Sequence, residues 1–261
     1  MLTPHPVDNS DWLKTAAIML VAIDHTGYFF IENAEWWSVF GRMAAPTFFF
    51  LLGYAQSRTI PLKWLWLGVI LTLLDSWNND WTWVAPNIFF SLAFIRLSRP
   101  YVLNFLQRYS WAAFALLLLV LLLLLLPAAN LVEYGAEGWL WALCGLCQRM
   151  YVDGAGSSPT EPTVRNWQLM RLVACSVAAV VYVWQEQIEF SFSQVQLAVV
   201  ILGVAALSLG YCVFVRGPSR IQPPESIAHA LRFLGRHTLE IYAIQLAGSE
   251  IIINLLPDLA P

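Results

Sequence analysis

An all-α, polytopic transmembrane helical bundle is the fold class this sequence predicts, and three observations predict it. Hydrophobic residues make up 59% of the 261 and charged residues only 12%, with a mean hydropathy of +0.61, far outside the usual range of a soluble domain. Apolar runs of a length that can cross a hydrocarbon core recur along the chain. The loops between them alternate in charge, so the net charge of -3 conceals a strong positional asymmetry. The chain reads as a single transmembrane domain over residues 1–261.

About nine spans follow from hydropathy, roughly 12 to 31, 39 to 57, 62 to 78, 85 to 98, 110 to 127, 136 to 152, 168 to 185, 195 to 215 and 233 to 255. No basic stretch with a small-residue cleavage site precedes the first run, so it reads as an uncleaved signal anchor. The fifth, with Leu116 to Leu119 and Leu121 to Leu126, reads as lipid-facing. The sixth has a short apolar stretch after Glu133 and Glu137, and by itself also fits a re-entrant segment. Loops after the even-numbered spans carry Arg58 and Lys63; Arg96, Arg99 and Arg108; Arg149, Arg165 and Arg171; and Arg216, Arg220, Arg232 and Arg236. The intervening loops carry Glu32 and Glu35, Asp75 and Asp80, Glu133 and Glu137, and Glu186 and Glu189, with Arg42 as their one basic residue. This alternation places the N-terminus in the cytoplasm and the C-terminus outside. Asp153 to Pro162 is rich in Gly, Ser and Pro and reads as a mobile inner loop, while Ser226 to Phe233 fits a short surface helix. Cys144, Cys147, Cys175 and Cys212 fall in apolar runs and read as buried thiols, and no metal site is expected.

Lys14 and His25 are the most informative pair. Eleven residues on an α-helix make three turns, a net rotation of about 20° and a rise of about 16 Å, so both side chains share one face. The predicted orientation puts Lys14 at the cytoplasmic boundary and His25 in the outer half of the membrane. Ionisable groups at such depth cost about 2.5 to 3.5 kcal/mol on insertion scales, so they are kept for function or for pairing within a bundle. An anionic, phosphate-bearing cofactor from the cytosol would meet Lys14, with Arg96, Arg99 and Arg236 adding charge. A tail of about 15 Å, close to the extended pantetheine arm of coenzyme A, would reach the histidine. His25 would then take a proton from an acceptor hydroxyl or amine as that group attacks a thioester. Asp24 lies about 100° from the His25 direction and reads either as a helper or as an ion-pair partner.

Asp11, Lys14 and then His25 after ten further residues resemble the opening signature of the acyltransferase type 3 family of membrane enzymes. More of the chain resembles the TraX family, which is named for a conjugative pilin acetylase. The resemblance rests on Ile23 to Gly27, Gly41 to Pro46 leading through Phe48 to Gly53, Asn87 to Leu92, and Leu234 to Tyr242. It implies O- or N-acyl transfer, with acetyl as the leading acyl group, from cytoplasmic acyl-CoA to an acceptor outside an inner membrane. Pilin amines, glycan hydroxyls and lipid headgroups are the acceptor classes it leaves open. His25 and Asp24 are then the catalytic candidates, with Lys14, Arg96, Arg99, Arg236 and Ser91 on the acetyl-CoA side. Arg42, Asn87 and Tyr242 are candidates for holding the acceptor or the oxyanion. Gln245 stands where such families often carry a histidine, and nine spans is one fewer than the typical ten.

Plainer readings exist for each position. Lys14 fits a snorkelling boundary lysine, Arg42 an ion-pair partner of Glu32 or Glu35, and Asn87 and Ser91 interhelical hydrogen-bonders. The inner arginines satisfy the positive-inside bias without any cofactor. A proton- or solute-coupled transporter lined by Lys14, Asp24 and His25 is the alternative function.

Overall fold

The computed structural model describes residues 6–32, 34–154 and 162–256. His5 and most of the loop read as mobile, residues 155–161, lie outside the described residues. In chain order the helices are α1 (Asn9–Phe30), α2 (Glu35–Gly41), α3 (Ala44–Tyr54), α4 (Leu62–Asn78), α5 (Ile88–Leu123), α6 (Leu125–Ala129), α7 (Gly135–Gly154), α8 (Pro162–Phe190), α9 (Gln194–Val213), α10 (Glu225–Arg236) and α11 (Thr238–Leu255). The other backbone pairing among the described residues is one isolated bridge between Asp8 and Pro218. The protein is all-helical, and α5, α8 from Thr163 and α9 are long and apolar enough to cross a membrane. Two compact units divide it, one of the residues up to Phe48 together with those from Val213, the other Phe49–Cys212.

The first unit is organised on α1. Asp8 accepts a hydrogen bond from the Ser10 amide at 2.7 Å, and its own amide donates to Asp11 Oδ2 at 3.0 Å. This reciprocal cap satisfies backbone donors that a helix start leaves open. Asn9 and Ser219 amides donate to the carbonyls of Gly217 and Val7 at 3.0 and 2.8 Å, which ties the helix start to the segment before α10. From there α1 packs against α2, α10 and α11. Apolar residues of α10 close over Val7 and Trp12 through Ala228 and Leu231.

In the second unit α7 is the central helix. Every residue from Ala136 to Gln148 is buried, which is the pattern of a helix enclosed on all sides. Its packing on α3 depends on two residues without side chains. A Cβ at Gly53 would lie 1.9 Å from the Ala142 carbonyl oxygen, and one at Gly145 would lie 2.0 Å from the Phe50 carbonyl oxygen. The two backbones therefore touch, as in small-residue interfaces of membrane helices. Around this contact Phe50 stacks on Tyr211 at 4.2 Å, and Trp141 meets Tyr182 and Tyr211 edge-on at 6.0 and 5.9 Å.

Several expected boundaries move. The fourth and fifth runs lie in α5, whose two helical segments meet at a kink where Ser110 leaves helical geometry (φ 48°, ψ -122°), the residue at which the fifth run begins; Pro100 lies in the first segment. The second run is broken into α2 and α3 at Arg42 and Met43. The sixth is a full 20-residue helix, α7. The surface helix is longer than expected and ends at His237, so α11 begins at Thr238 and not at Phe233. Cys144 on α7 and Cys175 on α8 are joined as a disulfide, with Cα atoms 5.1 Å apart. The expectation of four thiols is corrected, because two helices that hydropathy cannot align bring these two side chains together. Cys147 is a buried thiol and Cys212 a half-buried one.

Gly145→Ala is expected to destabilise the protein by about 1–3 kcal/mol, since the added methyl must push the touching backbones of α3 and α7 away from each other. Gly210→Ala, where a Cβ meets nothing within 4 Å, serves as the control and should be neutral or stabilising by about 0.5–1 kcal/mol. Thermal unfolding in detergent, followed by tryptophan fluorescence, measures both; equal midpoints for the two variants would contradict the α3–α7 contact.

Candidate functional site

The first unit holds the histidine site. Because α1 runs unbroken from Asn9 to Phe30, Lys14 and His25 stay on one side of it, three turns apart. Both are half-buried. The imidazole of His25 lies between two rings, with Tyr242 of α11 at 5.6 Å and Phe29 edge-on at 6.1 Å. Its Nδ1 is enclosed and has no hydrogen-bond partner among the described residues. Such an imidazole can accept or donate a proton at Nδ1 when a polar ligand arrives.

One residue earlier, Asp24 faces a different way. It is 6% exposed and forms an ion pair with Arg42, which follows α2. Gly41 makes the pairing possible, since a Cβ there would lie 2.1 Å from the Cβ of Asp24. The structure gives Asp24 an ion-pair partner in Arg42. Arg42, read from sequence as an ion-pair partner of Glu32 or Glu35, is held beside the Asp24 carboxylate. Hydropathy and spacing place charges in a membrane, but cannot say which of several carboxylates a cation will meet.

Tyr242 is buried, and its ring contact with His25 joins the two ends of the chain. Gln245, one turn further along α11, donates from Nε2 to the Ala22 carbonyl at 3.3 Å. A carbonyl only accepts, so the amide orientation is fixed by chemistry and leaves Oε1 facing elsewhere, enclosed and without a partner among the described residues. Hydropathy and motif spacing do not reveal this contact; the i, i+3 spacing of Tyr242 and Gln245 is the signal that could have found it. Arg236, in the last turn of α10, is exposed.

The remaining predicted residues belong to the second unit. Asn87 caps α5, accepting from the Phe89 amide at 3.4 Å, and its own amide donates to the Thr72 hydroxyl at 2.9 Å. Ser91 donates to the Glu133 carbonyl, and the Ile88 amide donates to the Glu133 carboxylate at 2.7 Å. Ser91 and the Ile88 amide thus hold the start of α5 to the segment before α7, and Asn87 caps it and ties it to α4. Arg96 donates to the Thr59 carbonyl at 3.0 Å and lies over the Trp64 ring at 4.4 Å. Arg99 is 7% exposed and donates from Nε to the Gly53 carbonyl at 2.7 Å. Arg171, read from sequence as an inner-loop cation, is buried in α8. It donates to Gln148 at 2.6 Å and lies 4.0 Å from the Tyr151 ring. Among the described residues no three His, Cys, Asp or Glu side chains converge as metal ligands.

A family model described as TraX protein matches residues 9–205, well over half of the chain. That stretch contains Lys14, Asp24, His25, Arg42, Asn87, Ser91, Arg96 and Arg99; Arg236 and Tyr242 lie beyond it. No curated protein and no solved structure matches the chain.

Asp24→Asn leaves the Arg42 charge without this carboxylate inside the unit and is expected to cost about 3–5 kcal/mol. Adding Arg42→Gln should restore much of that loss, because the pair is then removed as a pair. Simple additivity of the two single variants in detergent unfolding would show that the ion pair is not the coupling.

Proposed function

The chain belongs to the TraX family, and from that premise we propose that it is a membrane acyltransferase. It moves an acyl group, acetyl in the favoured reading, from cytoplasmic acyl-CoA to an acceptor on the far side of the inner membrane. The acceptor is a pilin amine, a glycan hydroxyl or a lipid headgroup. About nine crossings, with the N-terminus in the cytoplasm and the C-terminus outside, complete this topology, which resembles that of the wider acyltransferase type 3 superfamily.

The observation that carries the reading is the His25 imidazole, enclosed between Phe29 and Tyr242 with Nδ1 uncommitted. An acceptor hydroxyl or amine gives its proton to that imidazole as its oxygen or nitrogen bonds to the thioester carbonyl carbon. The carbon–sulfur bond then breaks, and the departing CoA thiolate takes the proton back from the imidazolium. The neutral ring is the form able to act as base. Asp24 and Arg42 act through position: their pair sets the rotation of α1 that turns His25 toward α11. Two basic groups, each within its own unit, are candidates for the donor phosphates: Lys14 with Arg236, and Arg96 with Arg99.

Purified protein given acetyl-CoA should release CoA, detected as free thiol. His25→Ala is expected to lower that rate about 10²–10⁴-fold, the usual contribution of a positioned base. Equal release by the two proteins refutes the proposal.

A further inference from the structure

One corner of the second unit gathers several arginines around a single described carboxylate. Arg99 is almost fully enclosed, and Arg58 and Arg149 lie close enough for their charges to act on it. Arg96 stands one turn before Arg99 on the same helix and is fixed by the Thr59 carbonyl and the Trp64 ring. Arg149, near the end of α7, lies 5.3 Å from the Tyr54 ring. Among the described residues, the carboxylate in this group is Asp153, which accepts from Arg149 Nε at 2.8 Å and from Gln56 Nε2 at 3.3 Å. Four guanidinium groups therefore share one carboxylate.

Carbonyl oxygens and aromatic faces solvate an arginine but do not neutralise it. Burying a cation beside two like charges is costly unless an anion is added. The shape of the group says which anion fits. Guanidinium forks match the spacing of phosphate oxygens and bind them in pairs. Ser57 and Thr59, whose hydroxyls lie 3.2 Å apart on the segment joining α3 to α4, add neutral donors beside Arg58.

We propose that Arg58, Arg96, Arg99 and Arg149 form a phosphate-binding site, with enclosed Arg99 as its anchor and exposed Arg58 as its mouth. The ligand chemistry is a phosphomonoester or diphosphate. Two sources carry it: the nucleotide end of acyl-CoA, which rests on the acyltransferase reading, and a phosphomonoester lipid headgroup, which does not.

The test uses the full-length protein in phosphatidylcholine nanodiscs, titrated with CoA and with adenosine 3′,5′-bisphosphate, which lacks the pantetheine arm. A parallel arm uses nanodiscs doped with phosphatidic acid and measures lipid retained by the protein. Arg58→Gln and Arg149→Gln should each weaken phosphate binding about tenfold or more, and Arg149→Lys should lose less. Arg58 is exposed, so its variant tests the site even where Arg99→Gln does not fold. Binding that is the same in wild type and both variants, or absent from wild type in both arms, overturns the site. Arginine-dependent retention of phosphatidic acid without nucleotide binding supports a lipid phosphate site and defeats the acyl-CoA donor. Arginine-dependent nucleotide binding, with CoA release unaffected by His25→Ala, supports the site and defeats the transfer reaction.

Discussion

The ion pair of Asp24 and Arg42 is the constraint on which the first unit turns. Neither charge is tolerable alone inside an apolar helix pair, so the two must meet, and Gly41 removes the Cβ that would keep them apart. Meeting fixes the rotation of α1 about its own axis. His25 is the next residue, about 100° further round, and the same rotation that hides Asp24 against α2 directs the imidazole to α11. Tyr242 and Gln245 then contact α1 from the last helix. The placement of the candidate histidine thus follows from an electrostatic requirement.

The second unit meets the same requirement differently. Arg171 is enclosed without a carboxylate among the described residues; an amide oxygen, the Cys212 carbonyl and a tyrosine face surround it. Arg99 leans on the Gly53 carbonyl, which can come so near because Gly53 and Gly145 let α3 approach α7. Backbone contact between small residues therefore packs the central helix and also places the acceptor that holds a buried cation. Only where several arginines collect does this internal solvation leave charge over, and that excess points to phosphate.

The candidate residues divide into one with an open ring nitrogen and others engaged in holding helices. His25 keeps an uncommitted ring nitrogen among aromatic walls, the state in which an imidazole is poised for proton transfer. Asn87 and Ser91, by contrast, are engaged in capping α5 and joining it to the segment before α7. Their hydrogen bonds position a helix and thereby Arg96 and Arg99 along it. Family membership covers this arrangement up to residue 205, so the contribution of α11 to the histidine site is a contact known from the fold alone.

Composition and periodicity by themselves determined that this is an all-helical protein of membrane character, because burying apolar surface dictates where long apolar runs must go. They also placed Lys14 and His25 on one face, since helix geometry is local. Local signals marked α4, α7 and α9 within a residue or two, and Gly, Pro and charge marked their ends. What the chain does not encode locally is which distant group answers which. The pairing of Asp24 with Arg42, the Cys144–Cys175 bond and the burial of Arg171 were decided only by tertiary structure. Charges, thiols and backbone groups find partners across helices, and the distance between helices is set by packing rather than by spacing along the sequence.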